Sequence, residues 1–207
     1  MRHPPKLLRA TLTASLVLVA TAGAGVAGPL EDGDAAFRKR DYATALQLLR
    51  PLAEQGFAKA QYDLGAMYSS GLGVARDYAE AVKWYRLAAA VGFAKAQYGL
   101  GTMYARGEGV PQDYAEALTW YRLSADQGFV GAQYTLGELY AKGEGVPRDY
   151  VVAHMWYSLA AAQAEGGGGD LSKSAAAARD KVASKMTPAQ IAEAQKLARE
   201  WKPKPER

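Results

Sequence analysis

Three stretches of the chain align on one another at a shift of 36 residues without a gap. They are GFAKAQYDLGAMYSSGLGVARDYAEAVKWYRLAAAV from Gly56, GFAKAQYGLGTMYARGEGVPQDYAEALTWYRLSADQ from Gly92 and GFVGAQYTLGELYAKGEGVPRDYVVAHMWYSLAAAQ from Gly128. A fixed period of this size is the mark of a helical solenoid, in which no unit buries its apolar face until a neighbour stacks on it. It constrains the fold more than any single motif does.

Each unit divides into two helices. The first is predicted over about Ala58 to Ser69, where Ala60, Leu64, Met67 and Tyr68 recur at helical spacing as one apolar stripe. The second is predicted over about Tyr78 to Ala90, with Ala81, Trp84, Tyr85 and Ala88 on its packing side. Gly65, Gly101 and Gly137 allow helices to approach closely, and Trp84, Trp120 and Trp156 fill the spaces between them.

The joint between the helices, GEGVPQDYAEA from Gly107, has the look of a phosphate cradle, and that reading fails on its chemistry. A P-loop needs a lysine and a hydroxyl after its last glycine, a dinucleotide fold needs a preceding strand, and Glu108 and Glu144 place negative charge where a phosphate would lie. As a turn, every position is accounted for. Gly71, Gly107 and Gly143 close the first helix in a left-handed conformation, Val110 and Val146 are held extended before proline, and Asp77, Asp113 and Asp149 cap the second helix. Glu80 and Glu116 are expected to complete a D-x-x-E capping box.

The repeat continues beyond these units. Asp41-Tyr42 stands 36 residues before Asp77-Tyr78, so residues 28–55 form a degenerate helix pair, in which Pro51 is expected to kink or unwind the second helix. Residues 56–163 hold the three regular units (56–91, 92–127, 128–163), and residues 164–207 a glycine linker, capping helices and the tail KPKPER, read as a solvated end. The last helix follows Thr187 as N-cap, Pro188 at its first position and Gln190 as capping-box partner. Its apolar face of Ile191, Ala194, Leu197, Ala198 and Trp201 is expected to close the open end of the stack.

Residues 1–27 read as a secretory signal peptide: Arg2, Lys6 and Arg9, the apolar run LTASLVLVATAGA, and a cleavage site at Gly25-Val26-Ala27 or Ala22-Gly23-Ala24. Its removal takes three of the 25 basic groups and none of the 21 acidic ones, so the net charge falls from +4 to about +1. No attraction to nucleic acid follows, and no stable membrane insertion is expected after cleavage. The expected location is a periplasm or the exterior of a bacterial cell, and the expected state a monomer.

The pattern A-x-A-Q-Y-x-L-G-x-x-Y-x-x-G-x-G-V-x-x-D-Y-x-x-A-x-x-W-Y at this period closely resembles the Sel-one-like repeat family, a relative of the tetratricopeptide repeats. The resemblance implies an all-α fold, a right-handed α-solenoid of helix-turn-helix repeats whose first helices line a concave surface. It also implies an adaptor for protein complexes. One exported branch of the family is cysteine-rich and is associated with penicillin binding and β-lactam hydrolysis; this chain has no cysteine.

Catalysis finds few parts here. Beyond the leader the chain has one histidine, His154, at a phase where other units carry Val82 and Leu118, which points to a packed or surface imidazole. No S-x-x-K follows the leader, and neither a Cys-His pair nor a zinc site with more than one histidine can be assembled. No catalytic, cofactor-binding or metal-binding residue is assigned. The expected function is therefore a non-enzymatic scaffold binding a protein or peptide, with a cell-wall-associated β-lactam-binding protein or hydrolase as the alternative.

A scaffold is held by what repeats and made specific by what varies. On the first helices the varying positions opposite the apolar stripe are Lys59, Asp63, Ala66 and Ser70; Lys95, Gly99, Thr102 and Arg106; and Gly131, Thr135, Glu138 and Lys142. The candidate partner-binding residues are Lys59, Asp63, Ser70, Lys95, Thr102, Arg106, Thr135, Glu138 and Lys142.

Overall fold

The computed structural model describes residues 27–163 and 169–204. The leader and the Gly166 to Gly168 part of the linker lie outside the described residues. Ten helices follow one another: α1 (Ala27–Arg38), α2 (Tyr42–Glu54), α3 (Ala58–Ser70), α4 (Tyr78–Ala90), α5 (Ala94–Arg106), α6 (Tyr114–Asp126), α7 (Val130–Lys142), α8 (Tyr150–Ala162), α9 (Gly169–Ala183) and α10 (Pro188–Glu200). Each helix from α1 to α9 packs against the next, apart from the α9 to α10 step, and the result is an α-solenoid.

The predicted stripes form the core. Ala60, Leu64 and Met67 are fully buried, and Ala81, Trp84, Tyr85 and Ala88 are buried on the facing helix. The helical glycines explain how the two come together: a Cβ on Gly65 would lie 2.6 Å from the Tyr85 ring, and one on Gly137 the same distance from Tyr157. The ring of the second helix occupies the space that a side chain on the first would need.

The joints form largely as the local sequence dictates. Gly107 has φ 68° and its N–H donates to the Met103 carbonyl, while Asp113 accepts from the N–H groups of Ala115 and Glu116 at 2.9 and 3.0 Å. Gly109, whose purpose the sequence left open, is where units touch: with φ 74°, a Cβ there would come within 2.3 Å of the Tyr78 carbonyl of the preceding unit. The capping boxes expected at Glu80 and Glu116 do not form. The Asp77 and Asp113 N–H groups already donate to the carbonyls of Tyr68 and Tyr104, both at 3.0 Å, and Glu80 pairs instead with Lys83.

Polar rungs tie successive units together, the glutamine ones buried and the arginine ones exposed. Gln61, Gln97 and Gln133 each donate to a carbonyl near the end of the preceding second helix, at Ala53, Ala89 and Ala125. Arg50, Arg86 and Arg122 reach the hydroxyls of Tyr68, Tyr104 and Tyr140 on the next first helix. The glutamine rungs satisfy carbonyls that stacking removes from water, which is the condition for burying them.

Three expectations need correction. Pro51 does not unwind α2, which runs unbroken to Glu54. Proline removes only the bond to the carbonyl of exposed Gln47, one turn earlier, where water can replace it. The tail is not simply solvated: the Lys204 N–H donates to the Asp126 carbonyl at 2.7 Å, and its ammonium pairs with the Asp126 carboxylate. The face of α10 is also only partly used, since Ala194 is buried while Leu197 stays exposed. α10 rests on α8, and Trp201 meets Trp156 edge-on at 6.5 Å.

Candidate binding surface on the first helices

Within the repeats α3 approaches α5 directly, while no two second helices of the repeats make a comparable approach; past the repeats α7 approaches α9 and α8 packs on α10. The side of the stack on which α3 meets α5 is the one that the family resemblance makes the inner side.

Along each inner helix the varying positions separate into two rows about 16 Å apart, since 11 residues at 1.5 Å rise divide them. One row carries Lys59 and Lys95 near the helix starts; the other carries Ser70, Arg106 and Lys142 at the helix ends, all three exposed. Lys59 and Lys95 border a notch of about 410 Å³ floored by Phe93 and Phe129. Glu138 and Lys142, which pair at 3.5 Å, border a second of about 260 Å³ between α7, α8 and α9.

The middle of each helix is not the free surface that the sequence implies. Asp63 is 9% exposed and its carboxylate pairs with Lys59 at 2.9 Å. Lys59 also pairs with Asp34 of α1, a residue that sequence reasoning missed because it lies in another unit. Burial pushes the Asp63 carboxyl up to about 6, outweighing the attraction of Lys59; Asp34 adds to the rise. At the equivalent position Gly99 faces Tyr85 of the preceding unit, where a Cβ would stand 3.1 Å from the ring. This row points into the joint between units rather than into solvent. Thr102 is also engaged: its hydroxyl donates to the Tyr98 carbonyl at 3.0 Å and accepts from the Tyr121 hydroxyl at 3.3 Å. Thr135 is half-buried.

His154 is packed, 3% exposed, with Nδ1 3.3 Å from Ser158 Oγ. Burial first, and Arg179 second, hold the imidazole below its ordinary value and so neutral. Neither of these two notches includes it, and its burial keeps the imidazole from the surface. Among the described residues no helix is long and apolar enough to cross a membrane, and no three His, Cys, Asp or Glu side chains gather as a metal site would require.

The family model of the Sel1 repeat matches residues 26–57, 58–93, 94–129 and 130–165. The first of these is the degenerate pair, so four units are matched. Among solved structures, a protective antigen of uropathogenic Escherichia coli strains, displaying an SLR fold, is similar at 37% identity and a TM-score of 0.69, over 76% of this chain and 32% of its own. A Sel1 repeat protein from Oxalobacter formigenes is similar at 35% identity and a TM-score of 0.61, over 64% of this chain and 53% of its own. The chain thus spans about a third of the first neighbour and about half of the second. No curated protein matches it.

Proposed function

Because the chain belongs to the Sel1 repeat family, whose members typically serve as protein-interaction scaffolds, we propose that it is an exported, non-enzymatic scaffold that holds a protein or peptide partner along its inner face. The observation that carries this reading is the division of labour on the first helices. Residues that repeat, such as Gln97 and Leu100, are consumed by packing and rungs, whereas Lys95, Arg106 and Lys142 differ in type or environment and are exposed. Side chains that differ from unit to unit on a rigid frame are where a partner is read. The two notches add concave floors on which a partner side chain can seat.

The antigen neighbour is in keeping with export and with an exposed envelope role, and the leader-like residues 1–27 support the same reading. The β-lactam alternative has less behind it. His154 is enclosed, and the chain has neither the cysteines of that branch nor a serine-lysine motif after the leader.

Site-directed photo-crosslinking tests the proposal. A crosslinker placed at Lys95 or Arg106 on the inner face should capture a defined partner in the producing cell, and one at Lys83 on the opposite side should not. Equal capture from both sides would overturn the assignment of the surface, and steady turnover of a chromogenic β-lactam by the purified chain would overturn the non-enzymatic reading.

A further inference from the structure

One tyrosine of the second helix recurs in every regular unit, and in two of them its hydroxyl is bonded within the protein. Tyr85 meets Ser69 at 3.3 Å, and Tyr121 donates to Thr102 at 3.3 Å. In the last unit the Tyr157 residue is 4% exposed, and its hydroxyl, which is not among the fully buried unpartnered atoms, makes no hydrogen bond among the described residues. The position that supplied Thr102 is now Glu138, which pairs with Lys142, and the position that supplied Ser69 is Ala141. Tyr157 lines the notch of about 260 Å³.

That notch lies at the last regular unit. Tyr62 stacks on Phe93 at 5.6 Å and Tyr98 on Phe129 at 5.2 Å, each a ring from the next unit. One period later the sequence has Glu165, and among the described residues Tyr134 keeps only Tyr157, at 5.6 Å. Across the opening stand Lys181, in the last turn of α9, and Lys185, just past its end, neither paired with a carboxylate among the described residues. Lys185 also lies over the Tyr150 ring at 5.5 Å, which fixes it near the rim.

We propose that this notch binds a carboxylate of an acidic peptide, with Lys142, Lys181 and Lys185 supplying charge and the Tyr157 hydroxyl donating the central hydrogen bond. Among the described residues that line it, three ammonium groups stand against one carboxylate, Glu138, which leaves positive charge in excess. Burial, with Glu138 next, pushes the Tyr157 phenol up, so it stays protonated and remains a donor at neutral pH. The tyrosine walls of Tyr134 and Tyr157 would cover the methylenes of a glutamate side chain. The notch also continues the inner face through Glu138 and Lys142, so a peptide lying there would run into it. The inference rests on the inner-face reading and adds the chemistry of the partner.

The test is fluorescence anisotropy with a labelled hexaglutamate peptide and the full chain, using hexaglutamine and inorganic phosphate as competitors. Hexaglutamate should bind, with affinity falling as salt rises, and unlabelled hexaglutamine should not displace it. Tyr157→Phe keeps the ring that packs on Gly137 and should weaken binding about tenfold, the order expected for one hydrogen bond to a charged group. Lys181→Gln with Lys185→Gln should weaken it further, while Lys173→Gln with Lys196→Gln, which remove surface lysines elsewhere, should leave it unchanged. Unaltered circular dichroism in each variant confines the effect to binding.

An equal loss from both lysine pairs would reduce the effect to general charge attraction and overturn the site. So would undiminished binding by Tyr157→Phe. Displacement by phosphate as efficient as by hexaglutamate would overturn the peptide assignment in favour of a small anion. A partner crosslinked from Lys95 and still captured by the Tyr157 and lysine variants would overturn the notch while leaving the inner-face scaffold standing.

Discussion

Replacing Asp63 with Asn should stabilise the protein at neutral pH, although the substitution deletes one member of a visible ion pair. The carboxyl is 9% exposed, and burial raises it from 3.8 to about 6; the hydrogen bond and charge of Lys59 oppose this without overcoming it. Between those two values the folded chain holds a proton that the unfolded chain has lost, so stability falls as pH rises, by about 1.4 kcal/mol per pH unit. Across about two units the cost reaches about 3 kcal/mol. It is fully present above pH 6 and absent below about pH 4. Asn, which cannot ionise, removes it. Urea unfolding followed by circular dichroism at pH 4, 5, 6, 7 and 8 should show the Asp63→Asn advantage growing from pH 4 to 6 and then levelling. A difference independent of pH, or a variant less stable than the parent at pH 7, would show that Lys59 and Asp34 outweigh desolvation and refute the reasoning. Lys59→Met supplies the converse: it removes the group opposing the rise, so its destabilisation should be larger at pH 7 than at pH 4.

Three further outcomes follow from backbone and packing geometry. Gly137→Ala places a methyl 2.6 Å from the Tyr157 ring and should cost about 1–3 kcal/mol in denaturant unfolding, the range for overpacked cores. Arg40, at φ 63° in the turn between α1 and α2, is the one described non-glycine residue with positive φ; Arg40→Gly should relieve the strain and raise stability by up to about 1 kcal/mol, read as a higher melting temperature. Ending the chain at Met186 removes α10 and uncovers Trp156, which meets Trp201, in the core cluster that Trp201 covers. The shortened protein should bind an apolar dye that the full chain does not, and unchanged dye binding would mean that α10 is not a cap.

What could be read in the sequence was what depends on near neighbours. The left-handed glycines at 71, 107 and 143, the aspartate caps and the Thr187–Gln190 box all involve groups within a few positions of one another, and all are present. Apart from Pro51, whose lost bond is a local matter, the expectations that failed involve a group from elsewhere in the chain. Glu80 lost its capping role to the Tyr68 carbonyl, nine residues upstream of Asp77 and across the joint. Asp63 stands among the candidate partner-binding residues because nothing in its own unit reveals that Asp34 and α1 close over it, or that its row faces the preceding unit. The tail's bond to Asp126 spans 78 residues. Periodicity shows that units stack, but only the distance between them determines which side of each helix is left to solvent.

The tyrosine at 85, 121 and 157 shows why repetition alone is a poor guide to role. Its ring does the same work three times, filling the space over Gly65, Gly101 and Gly137. Its hydroxyl does not, because the partner comes from positions that vary: Ser69 in one unit, Thr102 in the next and no protein group among the described residues in the third. A single residue can therefore be structural through its ring and functional through its oxygen, and the varying neighbour decides which units use the second capacity. In this chain the decision falls at the last unit, where Glu138 turns to Lys142 and α9 with the turn after it brings Lys181 and Lys185 across the gap. Variation on a repeating frame need not place a new functional group on the surface; removing the partner of an old one has the same effect.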